Sequence, residues 1–261
     1  MDLGIRGRTA LVLGGGGGLG GAIARGLAAE GMNVAVADIE QEALKRTVSS
    51  IEAFNVKAMS LTWDLSDLSL IEKNIGAVEN ELGAVDVLVN ITGGPPPTPA
   101  AGQDIALWNK YFAAMVAPVI AITDRVLPKM KSRAWGRIIT STSSGVVSPI
   151  PNLGLSNSLR LSLVGWSKTL AREVARDGIT ANIILPGRIA TDRIHFLDEA
   201  KAKREGRPVS EVTAESTASI PAGRYGKPEE YADAVAFLAS NRASYITGSV
   251  VRVDGGLIPS I

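Results

Sequence analysis

The sequence predicts an α/β fold, with one doubly wound parallel sheet of about seven strands and helices on both faces. Three observations indicate this class. Short β-type runs alternate with longer helical patterns along the whole chain. Several of these runs are almost continuously apolar, as strands covered on both faces require. No shift in composition and no internal repeat divides the chain, so residues 1–261 predict a single domain.

The predicted strands come in a regular order, and helical patterns lie between them. The strands span residues 9–13, 33–38, 57–62, 85–90, 136–141, 180–185 and 250–253. The helices span about 19–30, 40–54, 67–82, 103–130, 156–175 and 228–239. Two irregular stretches, 93–99 and 186–221, each follow the carboxyl end of a predicted strand, where open α/β sheets bind ligands. The second stretch is long and polar, which indicates a lid over a substrate.

Composition and charge exclude several classes of function. The 261 residues are 46% apolar and 20% charged with a net charge of +1, so no nucleic-acid partner is expected. The longest apolar stretch, 113–122, is too short to span a membrane, and the N-terminus lacks the apolar core of a signal peptide. With no cysteine and one histidine, neither disulfides nor a metal site is expected. We therefore expect a cytoplasmic protein that binds neither membranes nor metals.

A glycine-rich run separates the first predicted strand from the first predicted helix. Glycine at 14, 18 and 20 permits a tight turn that brings backbone N–H groups against a pyrophosphate. The helix N-terminus adds a partial positive charge. Asp38 closes the second predicted strand, eighteen residues beyond Gly20. A glycine loop between strand and helix, followed at this distance by an acid, predicts a Rossmann-type dinucleotide site.

Further motifs follow the glycine loop in a characteristic order, including Asn90-Ile-Thr-Gly93, Pro186-Gly-Arg-Ile-Ala-Thr191 and Val253-Asp-Gly-Gly256. In these motifs, and over essentially its whole length, the chain resembles the short-chain dehydrogenase/reductase family, in particular its 3-oxoacyl-carrier-protein reductase-like branch. Two motifs are altered, since Leu13 replaces a common threonine and Ile-Thr replaces Asn-Ala after Asn90. The resemblance implies that an NAD-type cofactor contacts Gly14, Gly17, Gly18, Leu19, Gly20, Asp38, Asp64, Leu65, Asn90, Thr92, Gly93, Arg160, Pro186, Gly187, Ile189 and Thr191.

Two residues of this expected site favour NAD over NADP. The carboxylate of Asp38, at the end of the second strand, accepts hydrogen bonds from both ribose hydroxyls and repels a 2′-phosphate. Gly17 lies where family members that bind the phosphate often have a basic residue, and it supplies no such charge. An alternative is that Asp38 only caps the predicted helix that begins near Glu40.

The family's chemistry rests on an asparagine, a serine, a tyrosine and a lysine. The register of the surrounding motifs places these at Met115, Ser143, Ser156 and Arg160, so only the serine is retained. Tyrosine serves as acid or base because a nearby cation lowers its pKa from about 10. A serine hydroxyl is far less acidic and shorter, and a guanidinium practically never releases its proton. We therefore expect a catalytic centre of Ser143, Ser156 and Arg160 with a non-standard proton donor.

Simpler roles are open for some of these residues. Ser156 is also suited to cap the helix that it begins, and Arg160 to be a solvated residue paired with an acid. His195, within the lid, is an alternative acid or base because it titrates near neutral pH. Tyr111 lies one helical turn before Met115, where its phenol either reaches the cleft or packs in the core.

Three functions are compatible with these residues. The first is an NAD-dependent oxidoreductase acting on a small alcohol or carbonyl substrate, in which Arg188 and Arg193 of the lid favour an anionic group. The second is a catalytically silent NAD-binding subunit or sensor. The third is a non-redox enzyme, such as a lyase or dehalogenase, that uses Ser143 and Arg160. The resemblance further implies a homotetramer formed through the fourth and fifth predicted helices.

Overall fold

The computed structural model describes all residues from 1 to 261 as a parallel β-sheet with helices on both faces. The strands are β1 (Thr9–Leu13), β2 (Asn33–Asp38), β3 (Ala58–Thr62), β4 (Val85–Asn90), β5 (Gly136–Ser141), β6 (Ile179–Pro186) and β7 (Val250–Val253). The α-helices are α1 (Gly18–Ala29), α2 (Gln41–Glu52), α3 (Ile71–Leu82), α4 (Ile105–Met115), α5 (Ala117–Ser132), α6 (Gly154–Val174), α7 (Asp192–Glu205), α8 (Val209–Ala218) and α9 (Pro228–Ala239). Single 3-10 turns lie at Leu68–Leu70, Ser144–Val146, Ala175–Asp177 and Asn241–Ala243.

The order of the strands creates a crevice at one edge of the sheet. That order is β3-β2-β1-β4-β5-β6-β7, and every neighbouring pair is parallel. The chain therefore winds outward in one direction from β1 to β3 and in the other from β4 to β7. Because the loops that leave β1 and β4 diverge, a ligand fits between them at the carboxyl ends of the strands. The predicted doubly wound, seven-stranded α/β fold is confirmed.

Both faces of the sheet are buried, which explains why the strands are so apolar. On one face, Val12 and Val36 belong to a cluster of 23 buried residues that includes side chains of α1, α2 and α9. On the other face, Leu11, Ala35 and Leu88 belong to a cluster of 20 that includes side chains of α3, α5 and α6. Successive side chains of a strand point to opposite faces, so a central strand needs apolar residues throughout. These layers hold the strand ends in place for the loops of the site.

The single helix predicted at 103–130 is wrong, because the structure has two helices there. α4 ends at Met115 and α5 begins at Ala117, with Val116 at φ −109° between them. Pro118 lies in the first turn of α5, and a proline cannot donate an N–H and clashes with the carbonyl four residues earlier. The stretch Ile105–Ser132 is long and apolar enough to cross a membrane by length and composition. This is weak evidence for a span, because core helices of soluble proteins pass the same test.

The stretch 186–221 is not irregular as predicted, because it contains α7 and α8. Only two residues of each helix are buried, so neither helix presents the apolar stripe from which helices are recognised in a sequence. A buried carboxylate holds them instead. Asp198 of α7 accepts hydrogen bonds from Thr213 Oγ1 of α8 (3.1 Å) and from Tyr225 Oη (2.5 Å).

Candidate active site

The glycine-rich turn after β1 is too tight for a side chain at Gly14 and at Gly20. Gly14 has φ +66°, which L-residues rarely adopt, and a Cβ there would lie 2.9 Å from the carbonyl oxygen of Ile91. A Cβ on Gly20 would lie 2.0 Å from the carbonyl oxygen of Gly14. The N-cap residue of α1 is Gly17, which has no side chain to cover the helix N-terminus. The N–H groups of Gly18, Leu19 and Gly20 in the first turn therefore face an open position that suits an anion.

The segment that follows β6 lies against this turn. A Cβ on Gly18 would lie 2.8 Å from Cγ2 of Thr191, so the two backbones approach closely. Pro186 ends β6, and Gly187 lies so near the loop after β7 that a Cβ would come within 2.5 Å of a backbone Cα. Ile189 is buried and forms an isolated β-bridge with residue 226. The expected cofactor residues from β1 and from β6 are therefore brought together at one edge of the sheet.

Asp38 holds the glycine turn against the end of β2. Its Oδ2 accepts a hydrogen bond from the N–H of Gly16 (3.0 Å). Its Oδ1 accepts from the N–H groups of Ile39 (2.8 Å) and Glu40 (3.3 Å). The alternative of a helix cap describes only part of this geometry, because α2 begins at Gln41 without a side-chain cap. The carboxylate thus lies between the glycine turn and the turn that precedes α2.

Asp64 and Leu65 follow the neighbouring edge strand. The N–H of Trp63 donates to the carbonyl oxygen of Asp38 (2.9 Å), which places the segment after β3 beside the end of β2. Asp64 Oδ1 accepts from both Oγ (2.8 Å) and N–H (2.9 Å) of Ser66, and these two bonds lower the pKa of Asp64 below its usual value. Leu65 is half-buried. Both residues therefore lie on the same side of the crevice as Asp38.

The end of β4 carries a polar atom that lacks a partner. Asn90 is fully buried, and its Nδ2 donates to Oγ1 of Thr140 on β5 (3.2 Å). Its Oδ1 accepts no hydrogen bond from the protein. A buried polar atom left in this state costs about 1–3 kcal/mol, which favours a site where a ligand or water supplies the donor. Thr92, half-buried, and Gly93, exposed, continue the chain from this point into the crevice.

Arg160 reaches from α6 to the loop after β4. Its Nη2 donates to the carbonyl oxygens of Gly93 (2.8 Å) and Thr92 (3.4 Å). It forms no ion pair, so the expected alternative of a residue paired with an acid is wrong. Burial, and then the positive charge of Arg193, lower the pKa of Arg160 to about 10. It remains a cation at neutral pH, with N–H donors left over.

The two serines of the predicted catalytic centre have different environments. Ser143 Oγ accepts from the N–H of Gly145 (3.1 Å) and so caps the short turn that follows β5. Ser156 is half-buried and its hydroxyl has no hydrogen-bond partner in the protein. The alternative in which Ser156 caps the helix is wrong, because α6 begins at Gly154. Ser156 and Arg160 are four residues apart, so they share one face of α6.

Met115 lies in an apolar cluster and not in a polar relay. It is buried with Val119 of α5 and with Leu159 and Leu163 of α6. Tyr111 packs against the same cluster, which favours a packing role for this side chain over a catalytic one. Met115, which the register places at the asparagine position of the resembled family, is therefore closed to water.

The charged side chains of the 186–221 stretch divide into two groups. Arg188 pairs with the buried carboxylate of Asp198 (3.9 Å), so its charge is partly neutralised. Arg193 is exposed and forms no ion pair, and its positive charge contributes to the lowered pKa of Arg160. His195 lies exposed on α7. Of the two arginines expected to favour an anion, only Arg193 remains uncompensated.

Sequence reasoning missed one polar group close to the site. Tyr231 of α9 is fully buried, and its Oη lies 2.8 Å from Oγ of Ser141 at the end of β5 and 3.3 Å from the carbonyl oxygen of Ile184 on β6. Burial raises the pKa of the Tyr231 phenol above its usual value. A tyrosine at an apolar position of an amphipathic helix gives no sequence signal for such a contact.

The class of protein follows from this arrangement. A doubly wound sheet, a glycine turn at its switch point and an acid at the end of β2 define a dinucleotide-binding α/β enzyme. The sequence matches the family described as "Enoyl-(Acyl carrier protein) reductase" over residues 15–258. It is also 36% identical to the 3-oxoacyl-[acyl-carrier-protein] reductase FabG of Salmonella typhimurium, over 96% of this chain and 97% of that protein. The chain belongs to the short-chain dehydrogenase/reductase family of NAD(P)-dependent oxidoreductases.

Solved structures of the family superimpose closely on this fold. The L-sorbose reductase of Gluconobacter frateurii, complexed with NADPH and L-sorbose, has a TM-score of 0.94 at 30% identity, with all of both chains covered. An NAD+-bound xylitol dehydrogenase has a TM-score of 0.89 at 26% identity, over 97% of this chain and 99% of that one. Both nicotinamide cofactors thus occur among proteins of this shape.

Proposed function

We propose that the protein is an NAD-dependent oxidoreductase that interconverts an alcohol and a carbonyl, with Ser143, Ser156 and Arg160 in place of the family's usual catalytic set. The observation that carries this proposal is the juxtaposition of Arg160 with the cofactor crevice. Its guanidinium bonds to the carbonyls of Thr92 and Gly93, one helical turn from the unpartnered hydroxyl of Ser156.

The residues around the crevice fit a dinucleotide. We assign Gly14, Gly17, Gly18, Leu19 and Gly20 to the pyrophosphate, because Gly14 and Gly20 leave no room for a Cβ and let the backbone approach an anion. The remaining contacts go to the adenosine and nicotinamide halves, from Asp38, Asp64, Leu65, Asn90, Thr92, Gly93, Arg160, Pro186, Gly187, Ile189 and Thr191. The unpartnered Oδ1 of Asn90 supports this assignment, because a ribose hydroxyl is a suitable donor for it. The bound nicotinamide supplies or accepts the hydride.

Charge favours NAD over NADP in this crevice. The carboxylate of Asp38 lies beside the glycine turn, where a ribose 2′-phosphate would be repelled. Gly17 offers no cation to compensate. The solved relatives include both NADPH-bound and NAD+-bound proteins, so the preference rests on these two residues.

In carbonyl reduction, hydride adds to the carbonyl carbon and the oxygen develops negative charge. Arg160 stabilises that charge, because its pKa of about 10 leaves it protonated at neutral pH and it has N–H donors to spare. Ser143 orients the oxygen through its hydroxyl. The Ser156 hydroxyl passes a proton from water to the oxygen, since its own acidity is too low for it to be the ultimate donor.

Uncompensated positive charge favours a substrate that carries an anionic group. Neither Arg160 nor Arg193 has a carboxylate partner, whereas Arg188 is paired with Asp198. A carboxylate or phosphate on the substrate would accept hydrogen bonds from Arg193 and from the N–H groups of Arg160 that do not bond to Thr92 and Gly93. We assign this substrate group to Arg160 and Arg193.

We further propose a cytoplasmic homotetramer whose subunits are single domains of residues 1–261, each with a substrate lid at 186–221. Apolar side chains exposed on α4 and α6, including Ile105, Phe112 and Leu161, support subunit contacts through these helices. Sedimentation at several protein concentrations measures the assembly, and a monomer at all concentrations would contradict it.

The experiment that tests this function combines binding with turnover. NADH quenches tryptophan emission by energy transfer, and the chain has four tryptophans to report it. We expect NADH to bind more tightly than NADPH, and at least one anionic carbonyl of a substrate panel to be reduced. NADH binding without turnover of any compound would instead favour the silent subunit. No binding of either nucleotide would favour the non-redox enzyme using Ser143 and Arg160.

A further inference from the structure

The segment between β4 and α4 has little conformational freedom. Residues 93–99 read Gly-Gly-Pro-Pro-Pro-Thr-Pro, and each proline fixes its own φ and restricts the residue before it. Within the segment Pro95 and Thr98 are buried, although the neighbouring residues are exposed. A stiff, partly buried segment at the edge of a crevice keeps a defined position only if hydrogen bonds or packing hold it to the rest of the fold. We call residues 93–99 the proline segment.

The far end of the proline segment is fastened to the start of α6. The N–H of Thr98 donates to the carbonyl oxygen of Asn152 (2.7 Å), and the N–H of Gly154 donates to the carbonyl oxygen of Thr98 (2.9 Å). These two bonds form an isolated parallel bridge. Gly154 also permits close packing, because a Cβ there would lie 2.5 Å from Cα of Ala100.

The near end of the proline segment is fastened by Arg160. Its Nη2 donates to the carbonyl of Gly93 (2.8 Å) and, more weakly, to that of Thr92 (3.4 Å). A Cβ on Gly94 would lie 3.3 Å from the same nitrogen, so the guanidinium packs directly on the backbone. Both anchors therefore belong to α6, at Gly154 and at Arg160, and Ser156 lies between them along the helix.

We infer that Arg160 is a positioning residue. Its hydrogen bonds hold the proline segment in a fixed position against the first turns of α6, beside Ser156. This role explains why an arginine stands at a position that is lysine in the resembled family. A guanidinium directs several N–H donors from one planar group, whereas an ammonium is a single point of contact.

The test is hydrogen–deuterium exchange of the whole protein without cofactor or substrate, read at the N–H of Thr98. Arg160→Met removes the near anchor and is expected to speed exchange at Thr98 about tenfold by local opening. Arg160→Lys keeps one donor and should restore part of the protection. Gly154→Ala pushes away the far anchor while leaving the Arg160 charge in place, and should also speed exchange at Thr98. Alanine favours a helix, so lost helix propensity cannot explain that result.

The matched control is Arg193→Met, which removes a neighbouring charge but no bond to the proline segment. It should leave exchange at Thr98 unchanged. Unchanged exchange in Arg160→Met would overturn the inference, and so would a uniform increase that includes α9, because that would report loss of global stability. These exchange measurements do not depend on turnover, so their outcome is independent of whether the proposed redox function is correct.

Discussion

The two halves of the crevice differ in what builds them. On the β1–β2 side, the site is made by the backbone, through a glycine turn that leaves no room for a Cβ at Gly14 and Gly20 and a carboxylate that accepts three backbone N–H groups. On the β4–α6 side it is made by side chains, and there the register predicts Ser156, Arg160 and Met115 in place of the family's usual residue types. The proposed nucleotide half thus depends on backbone shape, and the proposed catalytic half on side-chain chemistry.

Under the proposed function, cofactor binding and catalysis depend on different parts of this fold and can change independently. A binding site made of backbone atoms is fixed by the packing around it. A single substitution therefore cannot alter the site without distorting the turn. A side chain on a helix can be exchanged while the backbone beneath it stays the same, and α6 runs unbroken from Gly154 to Val174.

The largest effect is expected from a side chain in the glycine turn. Gly20→Ala places a Cβ 2.0 Å from the carbonyl oxygen of Gly14, so the turn must open. We expect NADH affinity to fall more than about a hundredfold, because the first-turn N–H groups lose their position. Gly76→Ala, in the middle of α3 with no atom within 4 Å of the new Cβ, is the matched control. Equal NADH affinity in the two variants would contradict a nucleotide site made of backbone atoms.

The catalytic half should respond in turnover and not in cofactor affinity. Ser156→Ala removes the proposed proton relay, and we expect kcat for a reduced carbonyl to fall about a hundredfold, the lower range for acid–base groups. NADH affinity should stay the same. Ser158→Ala, exposed on the same helix, is the control and should keep kcat. If Ser156→Ala retained full kcat, the proton would have to travel by another route.

A smaller change is expected from the charge that selects the cofactor. Asp38→Asn removes the negative charge and one acceptor of the ribose hydroxyls. We expect NADH affinity to fall about tenfold and NADPH affinity to rise, as for the loss of a hydrogen bond to a charged group. Glu40→Gln removes an exposed charge two residues away and should change neither. Titration with both nucleotides measures the ratio, and an unchanged ratio would refute the selectivity assigned to Asp38.

The smallest effect concerns the buried phenol beneath the site. Tyr231→Phe leaves the hydroxyl of Ser141 without its 2.8 Å partner, so the free energy of unfolding should fall by about 1–2 kcal/mol. Tyr245→Phe changes a fully exposed phenol and should leave stability unchanged. Chemical denaturation of both variants makes the comparison. Equal stability would mean that the Tyr231 bond contributes nothing net to folding.

The sequence predicts the sheet and the tight glycine turn after β1 well, for a physical reason. Buried parallel strands must be apolar throughout, and a turn such as that at Gly14 must be glycine, so both leave direct marks in the sequence. Helices α7 and α8 leave no such mark, because a buried carboxylate, Asp198, holds them in place of an apolar stripe. Pro118 is a sequence signal for the break before α5, but the apolar pattern around it favours one continuous helix.

The catalytic half is harder to predict, because its contacts join residues far apart in the chain. Register alone identifies Ser156 and Arg160, but nothing in the sequence says that Arg160 bonds to the carbonyls of Thr92 and Gly93. Tyr231 and Ser141 are similarly distant in sequence and meet only through the packing of α9 on the sheet. Long-range hydrogen bonds of this kind require the folded structure.

A crystal structure of the protein with NADH and an unreactive anionic carbonyl analogue tests the proposed function most directly. We expect the pyrophosphate to lie on the N-terminus of α1, and the analogue's oxygen to contact Ser156 and Arg160. A nucleotide bound elsewhere would contradict the nucleotide half. A carbonyl oxygen directed away from both α6 side chains would contradict the catalytic half.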